Sequence, residues 1–157
     1  LRADIVPRTC ENFRRLCTGE TQSLVSGKRR HYAQWFCQSG DFMHHDGSGG
    51  ECTFDQQDDE PDENGVRSST FGDENFILKH TGAGVLSMAN SGPDTNTCQF
   101  YLHFSPAPSF DNKHVVFGCL LGEDSFATLV KINHVATERG DPKVAVWIAN
   151  TGQLYPS

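Results

Sequence analysis

The sequence predicts an all-β-dominated domain, an antiparallel sheet or barrel whose open ends are covered by two helices. Three observations predict it. Four short runs, 84–89, 99–104, 115–121 and 144–149, are rich in β-branched or aromatic residues and bounded by Gly, Pro, Asn and Asp, so they read as strands. Two segments carry helical periodicity, and they do not alternate with the strands as a parallel βαβ sheet requires. The chain has 157 residues with 15 Gly and 7 Pro, the length of one domain and the composition of a turn-rich globule. Such a length buries about two-thirds of the unfolded surface in a single core.

The first helix is signalled by Pro7 and Thr9 ahead of a run with apolar residues at 10, 13, 16 and 17, and by Gly19 as its stop. Residues 21–30 mix Ser and Gly with Lys28-Arg29-Arg30 and read as a solvated turn. Residues 55–70 are acidic, carry Pro61, Asn64 and Gly65, and are almost devoid of apolar side chains before Val66. That stretch cannot offset its ordering entropy by burial and is expected to be a mobile acidic loop insertion. The second helix starts at Asp124 or Ser125, points Phe126, Leu129, Val130 and Ile132 at a core, and ends near Asn133-His134.

A net charge of −7 argues against a nucleic-acid partner, which would be held by neutralising phosphates. Much of that charge is local: Asp55, Asp58, Asp59, Glu60, Asp62 and Glu63 leave the rest of the chain nearly neutral. No run approaches the ~20 apolar residues of a membrane span, and the first nine residues lack the apolar core of a secretory signal. The six cysteines, at 10, 17, 37, 52, 98 and 119, contain no C-x-x-C pair. Cys10 and Cys17 would stand ~10 Å apart on one helix, beyond disulfide reach. Buried free thiols in the cytoplasm or another reducing compartment are expected.

His44-His45 beside Asp41 and Asp46 lack a second ligand pair at metal spacing, so no metal is expected. Gly47-Ser48-Gly49-Gly50 lacks the frame of a nucleophile elbow, and phosphate-loop patterns are absent. What remains is a set of uncharged polar and aromatic residues bracketing strands: Gln38, Asn90, Gln99, Tyr101, Phe110 and His114. Such a mixture suits recognition of a peptide, with rings for its side chains and amides for its backbone.

Collinear blocks then carry a specific resemblance. They are Phe76-Ile77-Leu78-Lys79-His80-Thr81-Gly82, the run 84–93 from Gly84 to Pro93, Thr95-Asn96 with Gln99-Phe100, and Lys113-His114-Val115-Val116-Phe117-Gly118. Supporting matches run from Val6-Pro7-Arg8-Thr9 through Cys17-Thr18-Gly19-Glu20 and Gly40-Asp41-Phe42 to Thr151-Gly152-Gln153-Leu154. In these blocks the chain closely resembles the cyclophilins over nearly its whole length. The resemblance implies an eight-stranded antiparallel β-barrel capped by two helices, and peptidyl-prolyl cis-trans isomerase activity without any cofactor. It implies a proline pocket lined by Phe36, Tyr101, Phe110 and His114, with Gln38 anchoring substrate backbone. Trp35, Ala89, Asn90, Ser91 and Gln99 complete the substrate-binding set. Ser109 stands where a tryptophan often helps to bind cyclosporin, which implies reduced affinity for that drug.

The chain departs from the family pattern in three places. The family has two strands before the Val6-Pro7 block, and here only the end of one has room, so the domain is expected to lack the first strands. Near the F-H-R segment, an ungapped alignment sets Arg30 at the catalytic arginine, whereas pairing Gly27-Lys28 and His31-Tyr32 with a G-K-x-x-H-[YF] loop removes that segment altogether. The stretch after Phe54 is longer than in compact members and carries the acidic arm. The function implied is isomerisation of X-Pro segments in folding clients, with Arg30 as catalytic donor. The alternative is a catalytically impaired peptide-binding module or a structural subunit of a larger complex.

Overall fold

The computed structural model describes residues 1–20, 31–33, 35–54, 69–137, 140 and 142–155. The acidic stretch 55–68, the basic run 28–30 and, with it, the predicted catalytic Arg30 lie outside the described residues.

Helix α1 spans Pro7–Thr18, with Pro7 in its first turn and Gly19 in the left-handed conformation (φ 73°) as its stop. No side chain of the preceding residue caps it. Instead the Glu74 carboxylate accepts hydrogen bonds from the backbone N–H of Arg8 and Thr9 and from the Thr9 hydroxyl, at 2.9–3.0 Å. A negative charge against the open amides of a first turn is the favourable sense of the helix dipole.

Five strands follow: β1 (His31–Ala33), β2 (Phe36–Ser39), β3 (Val85–Met88), β4 (Phe100–His103) and β5 (Val116–Cys119). They form one antiparallel sheet in the order β1-β2-β4-β3-β5. Strands expected at 84–89, 99–104 and 115–121 are therefore present. The one expected at 144–149 is not: that segment has no ladder, Val144 and Trp147 are more than half exposed, and only Ile148 packs against the core. A continuous apolar run cannot make a strand where no edge pairs with it. Among the described residues the sheet has five strands, where the resemblance implied eight.

Side chains alternate across a strand, and paired residues share a face. Leu86, Met88 and Phe100 face the core formed with Val6, Cys10, Leu16, Phe71, Cys98, Val115 and Phe117. Phe13 of α1 meets Phe100 edge-on at 5.2 Å and Phe117 at 5.0 Å. The register sets Phe36 opposite His103 and Gln38 opposite Tyr101, which in turn faces Ser87. Those five side chains lie on the other face.

Helix α2 spans Glu123–Val135 and follows Gly122 with no side-chain cap, rather than starting on Asp124 or Ser125. Its expected core stripe is only partly realised. Leu129 is buried, whereas Phe126 and Val130 are 39% and 54% exposed. The reason is a narrow contact. The Phe126 ring rests on Gly84, where a Cβ would come within 2.9 Å of it, and one further row reaches inward. Among the described residues no helix is long and apolar enough to cross a membrane.

Candidate peptide-binding site

The face opposite the core gathers a cluster of rings. Phe36 lies 4.5 Å from Tyr101 and 5.4 Å from Phe110 between ring centroids. Tyr101 lies 5.4 Å from Phe110 and 5.3 Å from His114, and Phe110 lies 4.9 Å from His114. Two strands supply Phe36 and Tyr101. Phe110 comes from a 3₁₀ turn, Pro108–Phe110, that is tied down where Ala107 N–H donates to His80 O and His80 N–H to Asp111 Oδ1. All four residues are half-buried. Their mutual spacing leaves no room for another ring among them, so they present a continuous aromatic floor with one side open.

Beside this floor runs a chain of amides. Gln38 Nε2 donates to Gln99 Oε1 at 2.6 Å, and Gln99 Nε2 donates to the carbonyls of Gly47 at 2.9 Å and Gly49 at 2.7 Å. Gln38 Oε1 is left with no partner among the described residues. The glycine rim is itself organised by Asp41, whose Oδ1 accepts from Met43 and His44 N–H and whose Oδ2 accepts from Asp46, Gly47 and Gly49 N–H. Burial alone would raise the Asp41 carboxyl, but the ring of backbone donors outweighs it and holds the group at about 2. Gly40 lets this turn form: its φ is +105°, and a Cβ there would sit 2.2 Å from Cys98 O.

His80, His103 and His114 are each pushed by burial toward the neutral form. His114 Nδ1 lies 3.0 Å from Met88 O; a carbonyl can only accept, so Nδ1 carries the proton and Nε2 is left as an acceptor. Burial lowers its pKa more than the Met88 contact raises it. Beneath the floor, His103 Nε2 lies 3.0 Å from Ser87 Oγ, and burial together with His80 and His114 pushes His103 down to about 4. His80 is lowered by burial against the opposing pull of Asp111, which its Nδ1 meets at 2.7 Å. Among the described residues His80 Nε2 and His103 Nδ1 are buried with no hydrogen-bond partner. Burial likewise raises the Tyr101 phenol.

Asn90 forms a ridge between two hollows. Its Nδ2 donates to Lys113 O at 2.9 Å and its Oδ1 accepts from Gly92 N–H. On one side a polar hollow of about 280 Å³ is lined by Gln38, Gly47, Ser48, Gly49, Ala89, Ser91 and Gln99 among others. On the other lies a more apolar hollow of about 410 Å³ that Asn90 shares with His114.

The structure thus brings Phe36, Gln38, Ala89, Asn90, Ser91, Gln99, Tyr101, Phe110 and His114 to one face. Trp35 is not part of the ring cluster: it occupies the β1–β2 turn, 58% exposed, with its carbonyl accepting from Phe104 N–H. Ser109 is exposed on the 3₁₀ turn. His44 and His45 are engaged within their own loop, by Ser48 Oγ and Asp41 O. Sequence reasoning missed the roles of Asp41, His80 and His103. The one available signal was that Asp41 precedes a run of glycines and small polar residues whose amides need an acceptor.

The family described as cyclophilin type peptidyl-prolyl cis-trans isomerase/CLD matches residues 1–153. Among curated relatives, a peptidyl-prolyl cis-trans isomerase H of Mycosarcoma maydis is 43% identical, with 98% of this chain and 94% of the relative covered. A protein of the same name from Rhizopus delemar is 44% identical over 98% of this chain and 83% of its own length. A peptidyl-prolyl cis-trans isomerase of Arabidopsis thaliana is 43% identical over 98% of this chain and 74% of its own.

Proposed function

The chain belongs to the cyclophilin-type peptidyl-prolyl cis-trans isomerase family, and on that premise we propose that it isomerises X-Pro bonds on the face carrying Phe36, Gln38, Tyr101, Phe110 and His114. The observation that carries this assignment is the contact of four half-exposed rings beside a Gln38 side-chain carbonyl that has no partner among the described residues. Similarity to isomerases over almost the whole chain favours the enzyme over a catalytically impaired peptide-binding module or structural subunit.

A prolyl amide resists rotation by ~20 kcal/mol because its C–N bond has partial double-bond character. No nucleophile or metal is needed to lower that barrier. An enzyme has only to bind the twisted amide better than either planar form. The proline ring lies on the aromatic floor. Gln38 accepts from a substrate N–H, and His114 Nε2, neutral near pH 7, offers a second acceptor. Ala89 and Asn90 line the substrate backbone, and Gln99 holds Gln38 in place. As conjugation is lost, the lone pair localises on the prolyl nitrogen, and Arg30 donates to it.

The test is isomerisation of a Pro-containing peptide by the purified chain. Arg30→Ala is expected to lower kcat/KM by about 10²–10³, as removal of a preorganised donor to developing charge does. Wild-type rates in that variant would remove Arg30 from the mechanism. Weak binding of cyclosporin is proposed for Ser109, measurable by titration against Ser109→Trp. Six cysteines with no C-x-x-C pair, of which Cys10, Cys37 and Cys98 are buried, support a reducing compartment such as the cytoplasm.

A further inference from the structure

We propose that the hollow of about 410 Å³ beyond Asn90 is a second specificity site of the same enzyme, taking an apolar side chain of the substrate near the proline, with an acidic neighbour held by Lys113. It rests on the assignment above.

The hollow adjoins the proline face. His114 belongs to both the aromatic floor and the hollow, and Asn90 divides the hollow from the polar one beside Gln38, so a chain lying on the floor reaches this opening past His114. Its volume falls in the range of clefts that enclose small ligands, about 300–1,000 Å³. Phe76 and Pro93 supply apolar wall, and Phe76 is braced from behind by the core. The floor is stiff: Asn90 bridges Lys113 O and Gly92 N–H across it.

The charges decide what sits beside the apolar group. Asp73 lines the hollow, but its Oδ1 accepts from Asn96 Nδ2 at 2.8 Å and its Oδ2 from Asp94 N–H at 3.0 Å. It is engaged within the protein. Lys79, nearby, is tied to Asn112 Oδ1 at 2.7 Å. Lys113 is exposed and its ammonium has no partner among the described residues. In a chain of net charge −7 an unpaired cation at the mouth of an apolar hollow offers a local welcome for a carboxylate.

The experiment measures kcat and KM for a blocked minimal X-Pro peptide and for peptides with Leu or Ala scanned over the three positions on either side of proline, with and without an adjoining Asp. At one position Leu should improve kcat/KM over Ala about tenfold, through KM. The Asp should add about two- to fivefold, as an exposed ion pair does. Phe76→Ala should erase the Leu preference. Lys113→Glu, an exposed change that spares the fold, should reverse the Asp preference toward Lys while leaving the minimal peptide unchanged. Turnover of the minimal peptide with no positional preference, or preferences untouched by both variants, would overturn the second site and leave the isomerase assignment standing. Failure to turn over any peptide would overturn both.

Discussion

The two faces of the β2–β4–β3 ladder are built from the same three strands and do opposite things. Toward α1, Met88 and Phe100 are buried among apolar neighbours, Phe117 joins them from β5 and Phe13 closes the packing. Toward the other side, Phe36, Gln38 and Tyr101 are half-exposed above His103, and two imidazole nitrogens are buried with no partner among the described residues. An unpaired buried polar group costs about 1–3 kcal/mol, so the second face is held at the expense of stability that the first supplies. What the difference teaches is that strand alternation lets one short sheet separate the work of folding from the work of binding.

The comparison breaks first on the core side. Phe117→Ala is expected to cost about 3–5 kcal/mol, read as a fall in the denaturant midpoint, with no selective loss of peptide affinity in whatever fraction folds. A cost under 1 kcal/mol would mean that the two faces do not differ as described. Next in size is Asp41→Ala, which strips five backbone donors of their acceptor. It should cost about 2–3 kcal/mol and raise KM by loosening the rim that holds Gln99 and Gln38. Unchanged KM would detach the rim from the site.

Acid sharpens the contrast by sign and by window. His103 sits at about 4 when folded against 6.5 unfolded, so between those values only the unfolded chain holds the proton, and stability falls as pH drops from 6.5 toward 4. His80 and His114 are shifted in the same direction. Asp41 contributes stability that is present above 3.8 and lost only as pH falls through about 2. Melting temperature against pH should therefore decline in two stages. Replacing His103 with Gln should flatten the upper stage and leave the lower; an unaltered profile would refute the histidine account. Smallest of all is Tyr101→Phe, which keeps the ring and removes a hydroxyl for which no hydrogen bond is recorded among the described residues. Stability should stay within about 0.5 kcal/mol, and a larger loss would reveal a buried partner.

Strands β3, β4 and β5 were legible because Val85-Leu86, Phe100-Tyr101 and Val116-Phe117 combine β-propensity with clear turn boundaries. The hairpin of β1 and β2 was not, since residues 31–39 hold no β-branched side chain and no Gly, Pro, Asn or Asp marks the turn between the strands. The segment 144–149 misled for the opposite reason: its composition is strand-like, and pairing is a property of the partner. Glu74 capping α1 from 66 residues away and Asp41 gathering five amides were invisible to local patterns, because each carboxylate serves backbone groups that leave no mark in the sequence. Tyr101, Phe110 and His114 were legible as parts of a peptide surface from the polar and aromatic pattern; that they meet, and that Phe36 joins them, was legible only through the collinear blocks.

The central claim is that a proline-containing peptide lies on the floor made by Phe36, Tyr101, Phe110 and His114. Titrating such a peptide into isotope-labelled protein and following its NMR signals tests it most directly. The side-chain resonances of those four residues and the Gln38 amide should move together along one saturable curve. Shifts confined to α2 or to the core face, with these five signals still, would contradict it.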